Sequence, residues 1–280
     1  MIASKKALTP EAVADHYDEL DHFYREIWGE HVHHGLWKRG DEPSETAAKQ
    51  LVEFVAERAQ VGRDTRVCDI GCGYGATARM LARDFGADVT AITISPAQFR
   101  FSQSTTNGEH VRTVLGDWLR NDFPDENFDT AIAIESSEHM PDKAAFFAQA
   151  HRVLRRRGRL VVCAWLARTH ASVAEKRFLL EPICREGRMP GMGTELDYKR
   201  LCEQAGFVCE SFEDVTQQVK KTWPICAGRF AIELLRKPRY AKFLFNRHAR
   251  NRIFALTMFR IWLAYNIGSM RYGILTARKI

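Results

Sequence analysis

The chain has 280 residues, of which 45% are hydrophobic, 11% aromatic and 27% charged, the balance of an ordinary globular protein. This composition excludes a disordered chain, a collagen-like fibre and a disulfide scaffold. The net charge of +6 is uneven: the last 47 residues hold 11 of the 41 Lys and Arg and no Asp or Glu, which leaves 30 basic against 35 acidic residues before them. The charge therefore marks the C-terminal segment and does not by itself indicate a nucleic-acid partner.

The ends and the cysteines predict a cytoplasmic protein. Residues 1–6 are not followed by the apolar core of a secretory signal. The seven cysteines include no Cys-x-x-Cys pair, so we expect free, mostly buried thiols and no zinc ribbon. The most apolar stretch, 253–267, contains Arg260 and is too short to span a membrane.

The first elements in the chain are helical. Thr9 and Pro10 suit a helix start, and we predict one helix over 9–28, followed by a polar turn at 38–43 and a second helix from Ser44. Strands and helices then alternate, with strands at 66–70, 88–93, 111–115, 128–135 and 159–165 and helices at 76–85, 96–106 and 141–154. This alternation predicts an α/β fold with a mostly parallel sheet and helices on both faces.

Beyond residue 165 the pattern is less regular. We predict helices at 173–186 and 194–205, a strand at 207–215, a helical region over 224–267 and a last strand at 272–279. The last two strands are expected to pair, with the helices between them forming a cap. The chain would then divide into a helical lid (1–60), a cofactor-binding core (61–215), a substrate cap (216–270) and a returning strand (271–280).

A glycine-rich turn joins the first strand of the alternating region to its helix. Gly71, Gly73 and Ala76 match a dinucleotide fingerprint, but residues 91–95, at the end of the second strand, include no acidic residue of the kind that this cofactor requires. A fuller string places Asp69, Gly71, Gly73 and Gly75 in one run, and the third strand closes on Gly116, Asp117 and Trp118. These two strings resemble the S-adenosylmethionine-dependent methyltransferases with a Rossmann-like fold.

That resemblance implies a seven-stranded sheet, S-adenosylmethionine as cofactor and S-adenosylhomocysteine as product. It assigns the glycines to the methionine and ribose of the cofactor, Asp69 to the support of the loop, and Asp117 with Trp118 to the adenine. The second strand ends in a Thr-x-Ser-x-x-Gln string, Thr93, Ser95 and Gln98. This variant resembles the branch of γ-tocopherol methyltransferases, alkaloid N-methyltransferases and cyclopropane fatty acid synthases, and implies neutral hydrogen bonds to the ribose. Capping of the next helix by Ser95 is a compatible alternative.

The N-terminal segment resembles the same branch through Tyr17, His34 and Gly35. The resemblance implies that this segment folds over the methionine end of the cofactor. Three histidines within 31–34 raise the alternative of a metal, but no further ligands are evident, so we expect none; a structural aromatic and histidine cluster is the other alternative. His34 stands where cyclopropane synthases carry Cys, which disfavours cyclopropanation.

Two carboxylates and an imidazole follow the fourth strand. Glu138 and His139 match the catalytic Glu-His pair of the alkaloid-type enzymes, which implies that His139 acts as a base oriented by Glu138. Glu135 is expected to face the cofactor or support the loop. The alternative is that Glu138 and His139 only cap the next helix. One such pair would serve O-, N- or C-methylation.

The residue composition of the cap indicates which molecules the protein binds. Its aromatic and apolar residues indicate a hydrophobic small-molecule acceptor, with a packed core as the alternative; they are Trp223, Phe230, Phe243, Phe245, Phe254, Met258, Phe259, Trp262 and Tyr265. Its basic residues are expected to form either a solvated helix face or a surface that contacts an anionic membrane. They are Arg236, Lys237, Arg239, Lys242, Arg247, Arg250 and Arg252. Phenols, prenyl quinols, amines, prenyl diphosphates, sterols and lipids stay open as acceptors, nucleic acid is not expected, and an inert ligand-binding protein is the alternative class.

Overall fold

The computed structural model describes residues 2–3, 9–106, 108, 110–245 and 254–280. The strands, numbered along the chain, are β1 (Ile2–Ala3), β2 (Arg66–Ile70), β3 (Asp88–Thr93), β4 (Val111–Leu115), β5 (Phe128–Ile134), β6 (Leu154–Ala167), β7 (Gly191–Met192), β8 (Phe207–Asp214) and β9 (Met270–Lys279). Seven of them form one sheet in the order β4-β3-β2-β5-β6-β9-β8. Strand β9 is antiparallel to both of its neighbours, and the first five strands of this order are parallel. The predicted α/β fold with a mostly parallel, seven-stranded sheet is confirmed.

The helices cover both faces of this sheet. They are α1 (Pro10–Glu19), α2 (Asp21–Ile27), α3 (Ser44–Ala59), α4 (Ala76–Phe85), α5 (Pro96–Thr105), α6 (Lys143–Val153), α7 (Val173–Glu175), α8 (Glu181–Glu186), α9 (Glu195–Gln204), α10 (Thr216–Val219), α11 (Thr222–Arg236), α12 (Pro238–Phe245) and α13 (Phe254–Asn266). Successive residues of a strand point to opposite faces, so Val161 belongs to one hydrophobic cluster while Leu160 and Val162 belong to the other. The sheet is thus buried on both sides, as a parallel sheet requires.

The N-terminal helix and the region after β6 differ from the prediction. The helix expected over 9–28 is two helices, because the backbone leaves the helical conformation at Leu20, where φ is −96° and ψ is 5°. The helix expected over 173–186 contains a π-helical stretch, Lys176–Leu180, between α7 and α8.

Strand β6 is also longer than expected. It starts at Leu154, the residue at which the preceding helix was predicted to end, and runs for 14 residues. Helix α6 starts at Lys143 and not at Pro141, because the Asp142 side chain caps it by accepting from the N–H of Ala145. Trp165, near the end of β6, lies at the same edge of the sheet as the end of β5.

The cap lies between β8 and β9 in the chain, and these two strands pair, as predicted. Part of its basic face is neutralised, because Lys237 and Arg239 both form ion pairs with Glu26 of α2. Arg247, Arg250 and Arg252 lie outside the described residues. Within the described ranges, every helix is too short or too polar to span a bilayer.

Candidate active site

The glycine loop between β2 and α4 lies at the carboxyl edge of the sheet, where open α/β sheets bind ligands. The N–H groups of Gly71 and Cys72 donate to the carbonyl oxygen of Ile92 at 2.9 and 3.0 Å, which folds the loop over β3. Gly71 has a φ of +78°, and a Cβ there would lie 2.3 Å from the Cβ of Ser136. Glycine is therefore required at this position for both conformation and space.

A pocket of about 830 Å³ opens beside this loop, and we call it the glycine-loop pocket. Its wall includes Val13, Tyr17, Val32, Gly71, Gly73, Ile92, Thr93, Gln98, Gly116, Asp117, Trp118, Ile134, Glu135, Ser136 and His139. Most of the residues predicted to bind the cofactor are among them. A Cβ on Gly73 would meet only the Gln98 amide, at 3.9 Å, so the loop leaves room for a ligand to approach the backbone closely.

The polar groups of this pocket are partly used by the protein and partly left for a ligand. The Thr93 hydroxyl donates to Gln98 Oε1 at 2.9 Å, which leaves the amide NH₂ as the end that can donate further. Asp117 Oδ1 accepts from the N–H of Leu119 at 3.0 Å, which leaves the second carboxylate oxygen. The Trp118 ring is buried next to Asp117. These groups suit an adenosine, which has hydroxyls, an amino group and a flat ring.

Five residues predicted to bind the cofactor are not among the lining residues of this pocket: Asp69, Gly75, Ser95, His34 and Gly35. Three of them pack closely against other parts of the protein. Gly75 is the N-cap of α4, and a Cβ there would lie 2.3 Å from the hydroxyl of Ser102. Ser95 caps α5, as in the alternative reading, and its hydroxyl donates to Asp18 at 2.5 Å. Gly35 lies against α3, where a Cβ would approach an alanine methyl to 2.7 Å. Gly75, Ser95 and Gly35 thus pack against α5, α1 and α3, respectively.

Glu135, directly after β5, is a carboxylate surrounded by donors. It accepts hydrogen bonds from the backbone N–H and the Nδ1 of His34 at 2.7 and 3.0 Å, from the Trp165 indole at 2.9 Å and from the Tyr272 hydroxyl at 2.8 Å. Burial works to raise its pKa, but the imidazole of His34 and the donors outweigh it and hold the pKa at about 2. The backbone of Glu135 has a φ of +54°, a conformation that non-glycine residues rarely adopt.

The tautomer of His34 follows from its two partners. The indole N–H of Trp223 donates to His34 Nε2 at 2.8 Å, and an indole nitrogen cannot accept. The proton of His34 is therefore on Nδ1 and is donated to Glu135. His34 does not line the glycine-loop pocket; it joins the N-terminal segment to the end of β5 and to α11.

A second pocket of about 740 Å³ adjoins the first, and we call it the aromatic pocket. Its wall includes His16, Tyr17, Tyr24, Trp28, Val32, His34, Glu135, Glu138, His139, Trp165, Ile183, Glu186, Met189, Trp223, Thr257 and Ile261. Four residues belong to both pockets: Tyr17, Val32, Glu135 and His139. Two cavities thus meet at one short wall, with the glycine loop on one side and the cap on the other.

Glu138 faces the aromatic pocket. Its Oε1 accepts from the backbone N–H of Trp165 at 2.6 Å, and its Oε2 accepts from the Ser137 hydroxyl at 3.2 Å. The side chain is almost fully buried, and this burial raises its pKa to about 7. A carboxyl group with such a pKa exchanges a proton readily at neutral pH.

The ring of His139 is oriented by the Arg188 carbonyl and the Tyr17 hydroxyl. Its Nδ1 lies 3.3 Å from the carbonyl oxygen of Arg188, which can only accept, so Nδ1 carries the proton. Its Nε2 then accepts from the Tyr17 hydroxyl at 2.9 Å. Burial lowers the pKa of His139 to about 4, so the ring is neutral at pH 7. Of the two side chains, Glu138, with a pKa of about 7, is therefore the one that changes its protonation state near neutral pH.

A smaller pocket of about 360 Å³ lies on the other side of the glycine loop. His31, His33 and Asp69 line it, and each has a buried polar atom without a hydrogen-bond partner: His31 Nδ1, His33 Nε2 and Asp69 Oδ2. Burial raises the pKa of Asp69 to about 7 and lowers that of His31 to about 3. The described residues contain no group of three or more side chains arranged to hold a metal ion. The orphaned atoms fit the charged and polar end of an amino-acid ligand.

The rings that line the aromatic pocket come mainly from outside the cap. Of the cap residues predicted to form the pocket, Trp223 lines it, whereas Phe230, Met258 and Tyr265 are packed in the core and Phe259 and Trp262 are exposed. The side chains of Phe243, Phe245 and Phe254 lie outside the described residues. The other rings belong to α1, α2, the turn after α2 and β6. Trp165, at the carboxyl end of a predicted strand, could have been found from that position alone.

Comparison with known proteins gives consistent matches. Residues 4–242 match the mycolic acid cyclopropane synthetase family. The probable chloroplastic tocopherol O-methyltransferase of Oryza sativa subsp. japonica is 31% identical over 232 residues, which covers 76% of this chain and 64% of the rice protein. The 27-O-demethylrifamycin SV methyltransferase of Amycolatopsis mediterranei is 32% identical over 280 residues, or 97% of this chain and 98% of that protein.

A solved structure shares the fold over nearly the whole chain. The cyclopropane synthase MmaA2 from Mycobacterium tuberculosis superposes with a TM-score of 0.83 at 19% identity, covering 99% of this chain and 100% of that one. At this identity the likeness concerns the fold alone.

Proposed function

Since the chain belongs to the mycolic acid cyclopropane synthetase family of S-adenosylmethionine-dependent methyltransferases, we propose that it methylates a hydrophobic small molecule held in the aromatic pocket. The observation that carries this proposal is the short wall that the two pockets share. Methyl transfer is an in-line displacement that needs donor and nucleophile about 3–3.5 Å apart in a closed site. Two cavities that meet at Tyr17, Val32, Glu135 and His139 provide such an arrangement.

We assign the glycine-loop pocket to the cofactor. The free Asp117 oxygen and the Gln98 amide would hold its adenosine, while Gly71 and Gly73 allow it to approach the backbone. The unpartnered oxygen of Asp69 accepts a donor from its amino-acid end. When bound, S-adenosylmethionine supplies an activated methyl group on a sulfonium and leaves S-adenosylhomocysteine as product.

We assign the proton transfer to Glu138. A nucleophile that carries a proton must lose it, and the Glu138 carboxyl, with a pKa of about 7, faces the acceptor side and has room to accept one. His139 would act as a positioning residue: its ring, held by the Arg188 carbonyl, keeps the Tyr17 hydroxyl at the wall between the pockets. The Glu-His pair thus has two separate tasks in this proposal.

The lid and the cap enclose the acceptor side in this proposal, with residues 1–60 as lid, 61–215 as core, 216–270 as cap and 271–280 as returning strand. Arg229 of α11 supports the arrangement, because its guanidinium donates to the carbonyl of Ile27 at 2.9 Å and to the Ser44 hydroxyl at 2.6 Å. These bonds tie cap and lid together next to the aromatic pocket.

The test is a transfer assay with a labelled methyl group on the cofactor. The acceptor panel consists of phenols, prenyl quinols, hydrophobic amines, prenyl diphosphates and sterols. We expect calorimetric binding of S-adenosylmethionine and labelled product from at least one class. Cofactor binding without label transfer to any class would instead support the inert binding protein, and absence of cofactor binding would refute the assignment of the pocket.

We further propose that the cap touches anionic membrane, where hydrophobic acceptors are found. Phe259 and Trp262 of α13 are 55% and 39% exposed, and the cap carries the exposed basic residues Arg236 and Lys242. Flotation with liposomes that contain an anionic lipid is expected to carry the protein, and less of it at high salt. Flotation that is absent, or equal with neutral liposomes, would refute this contact.

A further inference from the structure

The wall of the aromatic pocket carries carboxylates but no basic side chain. Glu135, Glu138 and Glu186 line it, and no Lys or Arg is among its lining residues in the described part of the chain. Glu186 is already compensated, because it forms an ion pair with Arg260. The ammonium of Lys143 donates to backbone carbonyls, one of them that of Glu138, and not to a carboxylate. Among the described residues, neither Glu135 nor Glu138 forms an ion pair with a Lys or Arg, and the buried Lys143 ammonium acts on the Glu138 carboxyl only from a longer distance.

Glu135 places a buried carboxylate at the junction of the two pockets. Its one ion-pair partner among the described residues is His34, and the Trp165 indole and the Tyr272 hydroxyl also donate to it. These partners hold the pKa of Glu135 low, so the group is charged at neutral pH and attracts a cation to the junction.

Aromatic rings surround the same cavity in an unbroken chain. Ring centroids are 5.5 Å apart from Tyr17 to Tyr24, 5.5 Å from Tyr24 to Trp28, 5.7 Å from Trp28 to Trp223 and 5.5 Å from Trp223 to Trp165. The indole N–H groups of Trp165 and Trp223 are used by Glu135 and His34, so these residues offer ring surface to the pocket. Aromatic rings attract cations, and an aromatic cage with a carboxylate is a typical ammonium site.

We propose that the acceptor is a hydrophobic amine, recognised as a cation by the aromatic chain and by Glu135. This inference rests on the proposed function and names its substrate class. The amine arrives as an ammonium; its N–H bond breaks, and the proton passes to the Glu138 carboxylate. The nitrogen lone pair forms the new N–C bond to the methyl carbon while the S–C bond breaks, and the positive charge moves from sulfur to nitrogen.

Charge balance favours this acceptor over an anionic one. With an amine, one positive charge is present at the junction before and after transfer, so Glu135 is compensated throughout. A phenolate or a diphosphate would add negative charge beside a buried carboxylate, without a basic side chain on the wall to receive it. The structure thus separates the classes of acceptor that the sequence leaves open.

The binding test uses three probes of one shape in the presence of saturating S-adenosylhomocysteine. They are phenethyltrimethylammonium, its uncharged carbon analogue 3,3-dimethylbutylbenzene, and phenethyl phosphate. We expect the ammonium to bind at least ~10-fold more tightly than the carbon analogue, and the phosphate to be the weakest of the three. Equal binding of ammonium and carbon analogue, or tighter binding of the phosphate, would overturn the proposal.

Variants locate the effect. Trp28→Phe is expected to weaken the binding of the ammonium a few-fold, and Trp28→Leu is expected to weaken it a few-fold further. The binding of the carbon analogue is expected to stay within about twofold of the wild type in both variants. Trp262→Phe, at an exposed tryptophan outside the pocket, is the matched control and is expected to bind like the wild type. Glu135→Gln is expected to remove most of the preference for the ammonium; if that variant does not fold, the Trp28 series decides. A loss that is equal for charged and uncharged probes would refute cation recognition.

The transfer assay separates this inference from the proposed function. Label transfer to amines but not to phenols supports both. Transfer to phenols or diphosphates but not to amines keeps the methyltransferase and overturns the amine acceptor. Ammonium binding without transfer to any acceptor supports the cation site and overturns the proposed activity.

Discussion

Replacing the buried Glu138 carboxyl with an uncharged group is expected to stabilise the folded protein at high pH. At low pH the same replacement is expected to change the stability little. The pKa of this carboxyl is about 7 in the folded chain, against 4.5 for an ordinary glutamic acid. The pKa of Glu138 is higher in the folded chain than in the unfolded chain. The free energy of unfolding is therefore highest below pH 4.5, where the carboxyl is protonated in both states, and it falls as the pH rises through 7. At 1.36 kcal/mol per pH unit, the wild type loses about 3 kcal/mol between these limits.

Glu138→Gln keeps the shape and removes the charge. The amide oxygen can accept from the Trp165 N–H, and the amide NH₂ can donate to Ser137, whose hydroxyl can in turn donate to Tyr198 at 2.8 Å. The variant is therefore expected to be about 3 kcal/mol more stable than the wild type at pH 8 and less than ~1 kcal/mol more stable at pH 5. For a chain of this length the gain corresponds to a rise in Tm of about 5 °C.

Urea unfolding at pH 5 and pH 8, followed by tryptophan fluorescence, measures this difference. Glu203→Gln, at an exposed position, is the control and is expected to lie within about 0.5 kcal/mol of the wild type at both values. Under the proposed function the more stable Glu138→Gln variant also loses methyl transfer about 10²–10⁴-fold. Equal effects at the two pH values, or a less stable variant at pH 8, would refute the assignment of a buried, weakly acidic Glu138.

Two further predictions concern the glycine-loop pocket. Gly71→Ala is expected to lower the free energy of unfolding by about 2 kcal/mol or more, since its Cβ would lie 2.3 Å from that of Ser136 at a φ of +78°. The control is Gly228→Ala, in a helix with no atom within 4 Å of the new Cβ, which is expected to raise the free energy of unfolding by up to ~1 kcal/mol. A tolerated Gly71→Ala would contradict the close packing of the loop. Asp117→Ala is expected to raise the calorimetric Kd for S-adenosylmethionine about 10- to 100-fold, with exposed Asp122→Ala as the control within twofold; an unchanged Kd would remove Asp117 from the binding site.

Much of the core fold is readable from local sequence. Strands β2, β3 and β4 and helix α4 begin and end at the predicted residues, because short apolar runs bounded by Gly, Asp and Pro define them without reference to the rest of the chain. The glycine loop, Asp117 and Gln98 are likewise at one pocket, as the string order indicates. The break at Leu20 is different, since tertiary packing of α1 and α2 against separate neighbours overrides a continuous helical period.

The sequence by itself determined the α/β class, the positions of the strands around the glycine loop and the group of ionisable residues at the end of β5. Only the tertiary structure decided what those residues do, because a pKa depends on burial and on partners that are remote in the chain. His139 meets Tyr17 from 122 residues away, and His34 meets Trp223 from 189 residues away. Burial lowers the pKa of His139 to about 4 and raises that of Glu138 to about 7, so these two neighbours in the sequence differ in their protonation behaviour near neutral pH.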